Sequence, residues 1–374
     1  MPDTGIIAIG RNEGDRLRRC LASVLGRGRP VVYVDSNSSD GSPAMAREMG
    51  AEVVDLDMSI PFSAARARNE GFARLMAVAP GVKFVLMVDG DCEVVDGFIE
   101  RAERELAERP KAAVVCGRRR ERFPEASVYN RLADVEWDTP VGEARSCGGD
   151  ALFRVDAFKQ AGGYDNTVVA GEEPELCQRL REAGWTVHRI DAEMTVHDSA
   201  MFRFGQWWKR SVRSGYGAMD VATRFRRGKD GLFVKQVKSA RMWSQAWVHA
   251  FWVFVLVVPI ALLISGAVGG KPGSKLGWEW AWHTLAHAVV LIGLYLLLAS
   301  AQAARLALKA RRRVGQAKVA AAYGVLTVVG KWAHWFGQVR YSRDRKAGKL
   351  TRNIDYKSAG GSGGGTSGKA AAVA

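Results

Sequence analysis

Several short stretches of this chain place residues where they could do chemistry, and the foremost is Asp89-Gly90-Asp91. It follows the apolar run Lys83-Phe84-Val85-Leu86-Met87-Val88. Such a run reads as a buried strand, and open α/β sheets bind ligands at the carboxyl ends of their strands. Two carboxylates one residue apart repel each other unless positive charge stands between them. A hard divalent cation supplies that charge and usually brings phosphate oxygens with it. Asp89 and Asp91 are therefore candidate ligands for a metal-held diphosphate, with a plain Asp-Gly turn as the competing reading. Asp35 closes a second apolar run, residues 31–34. A strand-end carboxylate there can accept hydrogen bonds from a base N–H or a ribose hydroxyl. The polar Ser36-Asn37-Ser38-Ser39-Asp40-Gly41 after it suits a turn and a helix cap.

Other candidates lie further along. Arg66 and Arg68 open a helical stretch and could meet a diphosphate, a solvated basic face being the alternative. Gly148-Gly149-Asp150 offers close backbone approach at its glycines. Gly149 and Asp150 are candidates for the acceptor or a sugar hydroxyl, against the alternative of a glycine turn. Glu172 and Glu173 precede Pro174, which suits a first helical turn. Acids at a helix start commonly cap it. These two read as lying outside the helix proper, where one desolvated carboxylate could take a hydroxyl proton. His197 follows the last strand of this region and is either structural or a further ligand of the cation that Asp89 and Asp91 await.

The elements that must position these residues are legible from periodicity. Apolar runs at 5–9, 31–34, 52–56, 83–88 and 112–116 alternate with helical spacing at 14–25, 42–49, 63–78 and 97–108. Strands alternating with helices imply an α/β domain over residues 1–200, Rossmann-like, with a mostly parallel sheet and right-handed crossovers. The cysteines Cys20, Cys92, Cys116, Cys147 and Cys177 are scattered without a CxxC pair, as expected of reduced thiols in a cytoplasmic domain.

The 374 residues carry a net charge of +15, which points to nucleic acid, an anionic membrane or a phosphorylated substrate. No Asp, Glu, Lys or Arg occurs between Arg241 and Lys271, or between Glu279 and Arg305. Residues 246–268 and 281–304 are therefore expected to cross a membrane as a helical hairpin. Lys235, Lys238 and Arg241 precede it, and Arg305, Lys309, Arg311, Arg312 and Arg313 follow it, which places both flanks inside. Residues 201–245 interleave aromatic and basic side chains and read as interfacial helices meeting anionic lipids, in preference to a nucleic-acid surface. Residues 305–357 read as a basic amphipathic region, with 317–341 amphipathic or re-entrant. Residues 358–374 read as a Gly/Ser- and Ala-rich disordered tail. No cleavable signal is expected, since residues 1–10 lead directly into a strand.

Taken in order, Asp35, Asp89-Gly90-Asp91, Gly148-Gly149-Asp150 and Glu172-Glu173-Pro174-Glu175-Leu176 resemble a family 2 glycosyltransferase of the GT-A fold over about residues 5–215. The resemblance implies that Asp35 contacts the uracil or ribose of a nucleotide sugar. It places Asp89 near the nucleotide, Asp91 and His197 on Mg²⁺ or Mn²⁺, and Glu173 at the catalytic base with Glu172 beside it. Gln206-Trp207-Trp208-Lys209-Arg210 lacks the Arg-Trp pair of the processive Gln-x-x-Arg-Trp pattern, so a single addition is expected. The C-terminal hairpin resembles that of membrane glycosyltransferases of bacterial exopolysaccharide assembly, the succinoglycan type. They extend a sugar on a polyprenyl diphosphate at the inner membrane, with the catalytic domain and both termini in the cytoplasm. Competing readings are a polyprenyl-phosphate glycosyltransferase, a nucleotidyltransferase and a membrane scaffold that binds nucleotide sugar without turning it over.

Overall fold

The computed structural model describes residues 3–225, 231–257, 260, 264 and 275–348. In chain order the elements are β1 Thr4–Gly10, α1 Asp15–Val24, β2 Val31–Asp35, α2 Ser42–Glu48, β3 Glu52–Asp55, α3 Ala64–Val78, β4 Phe84–Asp89, β5 Cys92–Val94, α4 Phe98–Glu108, β6 Ala112–Glu121, α5 Val128–Trp137, β7 Gly142–Glu143, β8 Ala151–Arg154, α6 Val155–Gln160, α7 Glu172–Glu182 and β9 Thr186–His197. Long helices follow: α8 Phe204–Arg224, α9 Gly231–Trp252 running into a π-helical turn Val253–Val257, α10 Lys275–Val314 and α11 Ala317–Lys346.

The sheet runs β3-β2-β1-β4-β8-β6-β9-β5, with β7 paired to β9. Its first four strands are parallel, and β6 is parallel to β9. β8 runs against both β4 and β6, while β5 and β7 run against β9. The sheet is thus mixed where a mostly parallel one is expected. The reason is that parallel neighbours need a crossover helix and antiparallel neighbours do not. The short strands β5, β7 and β8 are reached by loops that double back, and they are too brief to show as apolar runs.

β1 aligns the chemistry. Ile9 pairs with Asp89 on one side, and Gly10 pairs with Asp35 on the other. The two acids therefore flank the same strand end, two strand spacings or roughly 10 Å apart. The core beneath is apolar: Ile6, Ile7, Val32, Val34, Leu86 and Met87 are fully buried. α1 closes one face with Leu17, Cys20, Leu21 and Val24. α3 closes on β1 through Gly71, where a Cβ would lie 2.5 Å from Ile7 Cγ2. All five cysteines are buried free thiols.

The helices after β9 pack on one another through small residues. A Cβ on Gly324 of α11 would stand 2.1 Å from the Ala303 carbonyl oxygen of α10, and one on Gly337 would stand 2.2 Å from the Val212 carbonyl oxygen of α8. Residues 317–341, expected as an amphipathic or re-entrant element, form most of this single continuous helix. Its small residues let backbones approach closely. Among the described residues one helical segment, Leu285–Arg312 within α10, is long and apolar enough to cross a membrane. Most of its described side chains face outward, Val290 being 66% and Leu297 65% exposed, while Tyr295 and Ala310 are buried. Much of the other expected span, 258–259, 261–263 and 265–268, lies outside the described residues, as do most of the connecting loop and the tail 358–374.

Candidate active site

Arg68 is the centre of the site. Only 2% of its side chain is exposed, and its guanidinium reaches three separate elements. Nη2 donates to Asp89 Oδ1 of β4 at 2.7 Å and to the Gly149 carbonyl at 3.3 Å. Nη1 donates to Glu172 Oε1 of α7 at 3.0 Å, and Glu173 Oε1 lies 3.6 Å from Nη2. The ring of Tyr164 packs under the guanidinium, 5.5 Å from its carbon. A planar, permanently charged fork is suited to holding several carboxylates at once.

A second arginine, Arg119 of β6, completes the arrangement. Its Nη2 lies 3.2 Å from Asp89 Oδ2 and 2.6 Å from Asp150 Oδ2. Asp89 is therefore paired with two arginines, and its carboxylate also falls with Cys92 and Asp150 in a group of possible metal-ligand atoms lying within 4.8 Å of one another. Burial alone would raise its pKa, but Arg68 and Arg119 reverse the sign and hold it below the ordinary carboxylate value. Arg119 was not singled out in the sequence because it lies beyond the apolar run 112–116, where the hydrophobic signal ends. Residues 117–121 are the continuation of β6, and the two-residue period turns Arg119 and Glu121 to the same face.

Asp150, expected at the acceptor or a sugar, is fully buried. It accepts from the Asp89 N–H at 3.0 Å and from Thr195 Oγ1 at 2.6 Å, besides pairing with Arg119. With both oxygens taken up inside, it frames the site and does not face a substrate. Arg66, expected at a diphosphate, is also turned inward, donating to the carbonyls of Asp57 at 2.6 Å and Ile60 at 3.1 Å. Ser63 caps α3 by accepting from the Arg66 N–H, which sends the Arg66 side chain back over the loop. Asp35 sits at its strand end as expected, its carboxylate fixed by the Tyr33 hydroxyl at 2.8 Å and the Ser38 N–H at 2.7 Å.

Gly149 holds the two halves together. A Cβ there would meet Asp89 Oδ2 at 2.8 Å, Arg119 Nη2 at 2.9 Å and Glu173 Oε1 at 3.4 Å. Glu172 and Glu173 belong to the first turn of α7 and do not precede it as expected. Gly171 is the cap, in the left-handed region at φ 86°. This cap lets the chain enter the helix with both acids pointing back to Arg68. Burial, followed by the charge of Glu172, raises the Glu173 pKa to about 7 against the pull of Arg68. A carboxylate poised near neutrality is what a general base requires.

Asp91 and His197 make a separate cluster. Asp91 Oδ2 lies 3.1 Å from His197 Nε2, and with Cys92 Sγ these ligand atoms fall within 4.8 Å of one another. His197 Nδ1 lies 3.2 Å from Ser199 Oγ and 3.7 Å from Glu121 Oε2, partners that fix the ring. Burial disfavours a charged His197, but Asp91 and Glu121 outweigh it and lift the pKa above its ordinary value. One carboxylate oxygen and one oriented imidazole nitrogen fit a Mg²⁺ or Mn²⁺ ion whose other positions are filled by phosphate and water oxygens. The thiol of Cys92 is too soft for either ion. Trp137, at the end of α5, contacts both clusters: its ring is 4.9 Å from that of His197 and 5.6 Å from the Arg119 guanidinium carbon.

Comparison with known proteins shows the family. Residues 6–160 match the family model described as glycosyl transferase family 2, and residues 84–301 match glycosyl transferase family group 2. The chain is 29% identical over 195 residues to the succinoglycan biosynthesis protein ExoA of Rhizobium meliloti, covering 49% of this chain and 57% of that protein. It is 27% identical over 238 residues to the pre-mycofactocin glycosyltransferase of Mycobacterium tuberculosis, covering 59% of this chain and 48% of that one. The chain thus spans about half the length of the curated relatives it matches. Among solved structures, the mannosyltransferase PcManGT of Pyrobaculum calidifontis, in complex with GDP-Man and Mn²⁺, aligns at 17% identity with a TM-score of 0.47, over 79% of this chain and 87% of that one.

Proposed function

The chain belongs to the family 2 glycosyltransferases, and from that premise we propose that it moves one sugar, with inversion, from a nucleotide sugar of the UDP type to a lipid-linked saccharide on polyprenyl diphosphate. The setting is bacterial polysaccharide assembly, which the likeness to a succinoglycan biosynthesis protein supports. The observation that carries the reading is Arg68, which joins the strand-end acid Asp89 to the helix-start acids Glu172 and Glu173 on one buried guanidinium.

Each residue then has a role set by its surroundings. Asp35, oriented by Tyr33 and Ser38, receives the base or ribose of the donor. Asp91 and His197 would hold Mg²⁺ or Mn²⁺. Such an ion, when bound, supplies positive charge to the leaving diphosphate. Glu173 takes the proton of the acceptor hydroxyl as that oxygen attacks the anomeric carbon opposite the leaving group. Its pKa near 7 leaves a useful fraction ionised at neutral pH. Arg68 and Arg119 keep Asp89 ionised, and Gly149 lets the three side chains close without a gap. We place the catalytic domain on the cytoplasmic face of the inner membrane. Its anchor is the span in α10 together with the apolar stretch 246–268, both termini inside. The basic residues of 201–245 lie against anionic lipids, and nucleic acid has no part.

The test is to incubate detergent-purified full-length protein with a panel of nucleotide sugars and lipid-linked acceptors and to identify products by mass spectrometry. A sugar-extended lipid and a released nucleoside diphosphate support the proposal. Release of inorganic diphosphate supports a nucleotidyltransferase instead. Glu173→Gln lowers transfer to a hydroxyl by about 10² to 10⁴-fold, whereas transfer to a polyprenyl phosphate, which needs no base, survives it.

A further inference from the structure

α8 and α11 cross with two basic side chains and a histidine between them. A Cβ on Gly215 of α8 would stand 2.4 Å from the His334 carbonyl oxygen of α11, and one on Gly330 would stand 3.6 Å from the Trp207 ring. Arg210 lies between these two contacts on α8, and Lys331 and His334 lie opposite on α11. All three are half-buried. Arg210 pairs with Glu136 of α5 at 3.0 Å. Among the described residues no carboxylate pairs with Lys331 or His334. The sequence offers little to do so: α8 and α11 carry one acid each, Asp220 and Asp344, both beside arginines of their own helix, and α9 carries none. Burial, then the charges of Lys331 and Arg210, push the His334 pKa down to about 4, so at neutral pH it is an uncharged imidazole beside the two cations, and burial lowers the pKa of Lys331. Partly desolvated like charges of this kind are relieved by an anion placed among them.

The surroundings say what kind of anion. Trp208 and Phe336 meet with ring centroids 6.0 Å apart, and Phe336 is 46% exposed, so an aromatic ledge adjoins the cations. Lys331 lies seven residues beyond Gly324, the crossing point with the membrane-length helix α10, about 10 Å along the axis. On the other side, Arg210 contacts Glu136, whose neighbour Trp137 touches His197 and Arg119 of the active site. Resting on the glycosyltransferase reading, we propose that Arg210, Lys331 and His334 hold a phosphate or diphosphate carried at the end of a lipid chain, with the chain lying along Trp208 and Phe336. That phosphate anchors the acceptor, so that its sugar end reaches past Trp137 to the site.

The experiment uses the full chain in detergent and three probes: farnesyl diphosphate, phosphatidylglycerol in mixed micelles, and inorganic diphosphate. Lys331→Gln with His334→Gln removes the Lys331 charge and the imidazole and is expected to weaken binding of a lipid-borne phosphate about tenfold or more. Lys331→Arg, which keeps the charge, retains it. Loss confined to farnesyl diphosphate upholds the proposal, and equal loss for phosphatidylglycerol overturns it by showing a bulk headgroup contact that does not select the acceptor. Unchanged lipid binding in the double variant overturns it, as does inorganic diphosphate binding as tightly as the lipids. Nucleotide-sugar binding is read separately. Its absence with lipid binding intact removes the glycosyltransferase reading and leaves the phosphate site standing.

Discussion

Glu173 makes activity and stability respond to pH in opposite directions. Its ordinary pKa is 4.5, and burial against Glu172 lifts it to about 7 in the folded protein. Only the carboxylate can accept a proton, so kcat/KM is expected to climb through pH 7, gaining close to tenfold from pH 6 to pH 8, and to level above that. The stability consequence runs the other way. Between about pH 4.5 and 7 the folded state binds a proton that the unfolded state has released, so stability falls as pH rises through that window. The loss is absent below the window and complete above it, at on the order of 3 kcal/mol. Glu173→Gln substitutes a neutral group of the same shape. It should lower transfer by about 10² to 10⁴-fold and yet melt higher than the parent at pH 8, on the order of 5 °C or more for a domain of this size. At pH 4.5 the two proteins should melt together. The assay is a pH series of initial rates with saturating metal, paired with calorimetry on the donor-free protein. A flat rate profile from pH 5.5 to 8.5, or a variant that melts lower at pH 8, would refute the reasoning that burial tunes this carboxylate as a base.

Asp91→Ala removes a carboxylate 3.1 Å from His197 and should abolish nucleotide release at any Mn²⁺ concentration. Release undiminished in a metal titration would sink the metal-dependent reading. Gly149→Ala forces a methyl to within 2.8 Å of Asp89 and 2.9 Å of Arg119. It should cut turnover at least tenfold, with a far-UV spectrum like that of the parent. Arg68→Gln leaves Glu172 buried without its counter-charge and Asp89 with Arg119 alone. A loss of about 3 to 5 kcal/mol is expected, read as a fall in the denaturant midpoint. Gly324→Leu cannot fit against the Ala303 carbonyl, and it should separate α10 from α11 and lower the melting temperature of the detergent-solubilised protein.

The sequence by itself determined the frame and the types of residue at its working edge. Apolar runs ending in acids are local signals, since a buried strand must surface at its end and only there can a carboxylate stay solvated or ligated. Asp35, Asp89 and Asp91 were legible for that reason, the α7 acids for the helix start that Pro174 marks, and the α/β class from the alternation of runs. The charge pairing among them was decided by tertiary structure alone. Arg68 meets Glu172 across 104 residues, and Arg119 meets Asp89 and Asp150 across a sheet whose antiparallel half has no periodic signature. Thus Asp89 gained two arginine partners, and Asp150 and Arg66 passed from expected substrate contacts to internal framing. A side chain's chemistry is written in its own residue, but its partner is set by where the chain returns. In a desolvated site it is the partner that fixes whether a carboxylate binds metal, takes a proton or holds the frame.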